Sequence, residues 1–244
     1  MDWTKAKTIL IVALLATNLF LILTYGLDRL EPEREKRDAL LTILENNQIR
    51  LEGEIPETPG KIPLLYVEYS GITKEILQKQ IREKSYRTPA GNTGEEELVK
   101  AGENFLRDMG LLESTLSFDK ITSTGGRKVV QYINKSNGMK VETSYIRLYF
   151  RQGILVDGDI YWLEIREISQ KKRNVISPSE ALIRFMGETR DLERPFTIHG
   201  VELVYWLDDS SFEGEGTTVA DTALPAWKIS FGEDRVHYIY AYEQ

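Results

Sequence analysis

Two carboxylates separated by one glycine, Asp157 and Asp159, stand in an alternating segment that places both on one face of a strand. Paired carboxylates are the reagents of glycoside hydrolysis, provided that the surroundings keep one of them protonated. No pattern around this pair would raise one of the two pKa values, so a plain solvated pair is the better reading. A second acidic group, Asp208, Asp209, Glu213 and Glu215 in DDSSFEGEG, has the composition of a calcium loop. Its spacing departs from the EF-hand pattern, because Phe212 and Gly214 stand where oxygen ligands are needed, and a solvated hairpin tip is expected instead. Both histidines read as structural: His237 shares a strand face with Ile239 and Ala241, and His199 adjoins Gly200 as a turn residue. The absence of Cys removes disulfides, thiolate metal sites and a Cys nucleophile together. No glycine-rich phosphate loop, GxSxG elbow or HExxH helix occurs. The expectation is a protein that is not an enzyme, with no catalytic residue, no cofactor, no metal and no small-molecule substrate.

The 244 residues carry a formal net charge of −7, which argues against a nucleic-acid partner. With 41% hydrophobic and 10% aromatic residues, the composition is that of a folding chain. The most informative stretch is residues 8–27, TILIVALLATNLFLILTYGL, twenty positions without a charge. As a helix they extend about 30 Å, the thickness of a bilayer core. A single transmembrane helix is expected there; the alternative is a cleaved secretory signal, for which Leu23 and Tyr25, or Thr24 and Gly26, would make a poor cleavage site. Residues 1–7 are then cytoplasmic and everything beyond the span extracytoplasmic, although the far flank (Arg29, Arg34, Lys36, Arg37) holds more cations than the near one. Within the span, Ala13, Thr17 and Thr24 fall on one stripe with Asn18 beside it. Small and hydroxyl residues permit close helix packing, and a mid-membrane Asn seeks a partner worth about 1 kcal/mol. Those four residues are the expected partner-binding face; single Thr and Asn residues also occur in plain anchors.

Residues 28–60 read as a juxtamembrane helix and linker. Leu40, Leu41, Ile43 and Leu44 form its apolar stripe, Pro32 is placed in its first turn with the membrane helix ending near Leu30, and EGEIPETPGKIP at 52–63 is an extended connector. A first α+β unit is expected over 61–170: a strand at 64–69, a helix at 73–84, and a second helix opened by a TGEE capping box in which Thr93 caps and Glu96 reaches back. That helix buries Leu98, Ala101, Phe105, Met109 and Leu112 and stops near Gly110. A β-meander from 117 to 168 turns at Gly125-Gly126, Asn137-Gly138 and Gln152-Gly153. A second unit, 171–244, opens on SPSE, with Ser177 as cap, Pro178 in the first turn and Glu180 completing the box, then Ala181, Leu182 and Phe185 as the apolar face before Gly187. Strands follow at 201–207, 226–231 and 235–242. The fold class is thus α+β: a membrane helix followed by two helix-plus-antiparallel-sheet units.

The start of the chain resembles the YycI family, extracytoplasmic regulators of the WalK (YycG) sensor histidine kinase, through Met1-Asp2-Trp3, Lys5, Lys7-Thr8-Ile9 and Asn18-Leu19-Phe20. ISPSEALIRF, ALPAWKISF and HYIYAYEQ near the end are similar to that family's last helix and closing strands. The resemblance covers both ends, and the middle by pattern alone. It implies a bitopic protein of a Gram-positive cell membrane that joins a YycH-like partner and the kinase, and so tunes cell-wall metabolism. Its alternative is a membrane-tethered PepSY-like module that holds a peptide, a wall fragment or a hydrolase.

Overall fold

The computed structural model describes residues 3–89, 93–112, 114–207 and 220–242. Helix α1 (Trp3–Asn46) is followed by strands β1 (Ile49–Leu51) and β2 (Ile62–Tyr69). Helices α2 (Lys74–Glu83) and α3 (Glu95–Asp108) lead into a meander of β3 (Leu116–Thr124), β4 (Arg127–Ser136), β5 (Met139–Arg151) and β6 (Ile154–Tyr161). Strand β7 (Leu163–Arg173), helix α4 (Pro178–Glu188) and strands β8 (Phe196–Trp206), β9 (Ala220–Phe231) and β10 (Arg235–Tyr240) complete the chain. The class is α+β, mostly sheet. The ten strands join in the order β3-β4-β5-β8-β9-β2-β7, with β6 on β5, β10 on β9 and β1 on β8.

Turn chemistry sets the meander. All three hairpin turns use two left-handed residues, with φ of 57° and 74° at Gly125-Gly126, 51° and 78° at Asn137-Gly138, and 50° and 76° at Gln152-Gly153. Such turns match the twist of the strands they join. Local caps fix two helices: Ser177 Oγ accepts from the Glu180 amide at 3.1 Å at the start of α4, as expected, and Thr73, placed inside the helix expected at 73–84, instead stands just before α2 and caps it, its Oγ1 accepting from the Ile76 amide. The TGEE box does not form. Gly94 is the cap of α3 and has no side chain with which to cap, while Glu96 pairs with Lys100 one turn on. With Gly94 as the cap, Glu96 is the second residue of the helix rather than the third, where a capping-box carboxylate is needed. Helix α4 also runs through Gly187 to Glu188, closed by the Thr189 hydroxyl, which donates to the Phe185 carbonyl at 2.7 Å.

Two hydrophobic cores result. In one, Leu77 and Ile81 of α2 and Leu98, Phe105 and Leu106 of α3 cover Val130, Tyr132, Ile146, Leu148 and Phe150 of the meander. The expected α3 stripe lies here, except that Leu112 is 40% exposed. In the other, Ala181, Leu182 and Phe185 of α4 cover Leu65, Ile198, Tyr205, Trp227, Ile229 and Ile239. The strand expected at 64–69 is β2, and its neighbours are β7 and β9, so Leu65 and Val67 feed the core that α4 covers. The cores meet where β5 and β8 run parallel at Val141 and Tyr205. There the buried Asn134 amide donates to the Leu163 carbonyl at 2.6 Å, and the Leu163 N–H donates to Ser144 Oγ at 3.0 Å.

Helix α1 departs from expectation. No break occurs at Leu30 or Pro32; one 44-residue helix passes through both. A proline withdraws one N–H from the ladder, and the REKRDALL that follows is built of good helix formers that carry the helix on. Among the described residues, no helix is long and apolar enough to cross a membrane. Of the span expected at 8–27, the side chains of Thr8, Ile9, Leu19 and residues 21–27 lie outside the described ones. The acidic tip at 208–215 also lies outside them.

Candidate functional site

The residues expected to bind a partner sit on α1. Ala13, Thr17 and Asn18 are exposed, in a stretch where Leu10, Val12, Leu14, Leu15 and Phe20 are all more than half exposed. The Thr17 hydroxyl donates to the Ala13 carbonyl at 2.9 Å, so its oxygen keeps lone pairs to accept from outside the helix. The side chain of Thr24, the fourth expected residue, is not among those described.

The opposite end of the same helix is rooted. Leu40 and Leu44, one turn apart, are each 1% exposed in the core beneath α4, whereas Ile43 on the next face is 42% exposed. The last turn is closed by Asn47, whose amide N–H reaches the carbonyls of Ile43 and Leu44, and by Arg194, whose Nη1 donates to the Asn47 carbonyl and to its side-chain oxygen, both at 3.0 Å. A guanidinium at this position also faces the negative end of the helix dipole. Directly after the helix, β1 pairs parallel to β8 with Ile49 opposite Phe196 and Leu51 opposite Ile198, and the Glu52 N–H extends the ladder to the Ile198 carbonyl at 2.8 Å. Beside this root lies a cavity of about 570 Å³ lined by Leu41, Leu44, Gln48, Arg50, Leu51 and Phe196.

Both histidines lie around the root. His199 is part of β8 rather than a turn, at the irregularity between Ile198 and Gly200. Its Nδ1 lies 2.9 Å from Glu52 Oε2 and its Nε2 lies 2.8 Å from the Gly232 carbonyl. Two acceptors on one ring are both satisfied by the imidazolium, and the Glu52 carboxylate, helped by that carbonyl, holds its pKa above the usual histidine value. His237 Nε2 lies 2.7 Å from Glu188 Oε2 at the end of α4, and the ring tilts against Phe185 with centroids 5.6 Å apart. As its strand pattern implied, its neighbours Ile239 and Ala241 are core residues.

The paired carboxylates are separately engaged. Asp157 Oδ1 accepts from the Gly158 amide at 2.8 Å and from Gln78 Nε2 at 3.2 Å, while Asp159 lies 4.0 Å from Lys74 Nζ and 3.5 Å from the Tyr145 hydroxyl. Among the described residues, no group of three or more His, Cys, Asp or Glu side chains is placed to hold a metal ion. Sequence reading did not find the Arg194 cap or the Glu52–His199 contact, which join positions about 147 residues apart and leave no local pattern. Compared with known proteins, the chain matches no family model and no curated sequence.

Proposed function

We propose that this chain is a membrane-anchored, non-catalytic regulator of a sensor histidine kinase of the WalK (YycG) type, acting with a YycH-like partner and through them on cell-wall metabolism. The observation that carries the reading is the continuity of α1 from its exposed apolar half into a root held by Leu40, Leu44 and Arg194. A helix of 44 residues is about 66 Å long, roughly twice the thickness of a bilayer core. With residues 8–27 as a single span and residues 1–7 on the cytoplasmic side, the remaining turns stand about 28 Å clear of the bilayer core and carry the folded part at their end.

In this reading, Ala13 allows a kinase helix to approach closely, Thr17 accepts a hydrogen bond from it, and Asn18 supplies both a donor and an acceptor. Thr24 continues the face. Regulation requires that this contact be stronger in one kinase state than in the other, since a helix that binds both equally shifts nothing. Because α1 is rooted, a partner that moves the folded part also moves the helix.

The test is a membrane crosslinking pull-down with the full chain as bait, compared with residues 28–244, and with partners identified by mass spectrometry. Recovery of a histidine kinase and a YycH-like protein by the full chain, lost without residues 1–27, is the expected result. Unchanged kinase output in the double variant Thr17→Leu, Asn18→Leu, at normal protein level, would remove the helix-packing mechanism. Capture of wall hydrolases or peptides by residues 28–244 alone would favour the tethered PepSY-like module.

A further inference from the structure

The proline-rich connector between β1 and β2 is pinned at both ends and arches between them. Ile55 packs against the core beneath α4, and Ile62, 7% exposed, belongs to that core. Pro56 and Pro59 fix their own φ, so the intervening chain keeps its shape without a hydrogen-bonded ladder. Under the arch is a cavity of about 400 Å³, a volume common among small-molecule sites, which run from about 300 to 1,000 Å³.

The lining is chemically divided. Met139 of β5, Leu203 of β8 and Trp227 of β9, the last almost wholly buried, make up the apolar part of the lining. Lys61, on the connector, and Lys172, on β7, stand at the rim, brought to the same place by the pairing of Pro63 with Lys172 in the β2–β7 ladder. Both lysines are exposed, and among the described residues neither forms an ion pair, whereas Lys84, Lys140, Arg166 and Lys228 each do. Glu57, on the connector, is the one carboxylate among the described lining residues.

We propose that this cavity binds a small carboxylate with an aliphatic tail, the tail lying on Met139, Leu203 and Trp227 and the head between Lys61 and Lys172. An anion without a tail would leave the apolar wall wet, and a tail without an anion would forgo the charge-assisted contacts that two lysines at one end of the cavity offer. A medium-chain fatty acid and the free C-terminus of a hydrophobic peptide share this chemistry. The site is independent of the regulator reading, since it is built wholly from residues beyond α1.

The experiment is ¹⁹F NMR line broadening of 6,6,6-trifluorohexanoate by the full chain in lipid nanodiscs, with empty discs as the blank. The expected result is saturable broadening beyond the blank, with the matched trifluorohexanol binding at least about tenfold more weakly, as loss of a charge-assisted contact implies. Lengthening the acid by one methylene should tighten binding about fourfold. In the variant Lys61→Gln, Lys172→Gln, two exposed positions where thermal unfolding should not move, the preference of acid over alcohol should vanish. Displacement of the probe by decanoate identifies the fatty-acid source, and displacement by acetyl-Leu-Leu with a free carboxylate but not by its amide identifies the peptide source. Equal binding of acid and alcohol, undiminished binding in the lysine variant, or broadening no greater than that of empty discs would overturn the proposal.

Discussion

Single atoms decide two of the positions described above. A Cβ on Gly158 would stand 2.0 Å from Leu77 Cδ2, and Leu77 is the fully buried residue by which α2 packs there, so glycine is what lets the helix lie on β6. Gly158→Ala should cost about 1–3 kcal/mol, measured by urea unfolding, because the core must open to admit one methyl group. Neither its place in a strand pattern nor the flanking aspartates announce that role; the sequence draws attention to Asp157 and Asp159, and the structure to the glycine between them. At His199 the effect is one of charge. Its native pKa is raised above the usual 6.5 by Glu52 and the Gly232 carbonyl. Its contribution to stability is therefore complete below that ordinary value and is lost as pH rises through the native one. His199→Asn should lower the melting temperature relative to the parent near pH 5, and the gap should shrink by about pH 9, followed by thermal unfolding across that range. An equal gap at both pH values would mean that the ring acts by shape alone.

At the scale of elements, the helices divide into those held by caps and those held by burial. Ser177→Ala should destabilise by about 1 kcal/mol, since its oxygen satisfies an orphan amide of α4. Thr93→Ala should fall within about 0.5 kcal/mol of zero, because the cap of α3 is Gly94 and not Thr93. The root of α1 is held by burial: Leu40→Ala and Leu44→Ala should each cost about 2–5 kcal/mol, against no more than about 0.5 for the exposed Ile43→Ala. Chemical unfolding of the purified variants measures all five. What was legible here was whatever rests on neighbours in sequence. The X-Gly turns and the Ser177 cap are local signals, and the structure contains them; of the stripe expected at Leu40, Leu41, Ile43 and Leu44, Leu40 and Leu44 are buried and Ile43 is exposed. The TGEE box is also local, yet α3 is capped one residue later, at Gly94, which takes Glu96 out of the third helical position; a motif does not fix the residue at which a helix starts. The three-residue β1 had no signal of its own, since its pairing depends on β8, about 147 positions away.

For the whole molecule, the long-range pairings carry the architecture, and sequence periodicity is blind to them. That β2 belongs between β7 and β9 follows from no feature of LLYVEY itself. The Asn134 contact with Leu163 sits where the two cores meet, and Asn134→Ala should cost about 1–3 kcal/mol by leaving a buried carbonyl unpaired, visible as faster amide hydrogen exchange around Ser144 and Leu163. The division of the cores along the chain also bears on synthesis. Every buried residue of the core under α2 and α3 falls between Leu77 and Trp162, so that half of the fold has all its parts once the ribosome has passed the meander. The core that receives α1 draws on Leu40, Leu44 and Leu65 at one extreme and on Trp227, Ile239 and Ala241 at the other. A growing chain that folds in order of emergence therefore completes the core under α2 and α3 first, and completes the core that receives the first helix only once Trp227, Ile239 and Ala241 have been added.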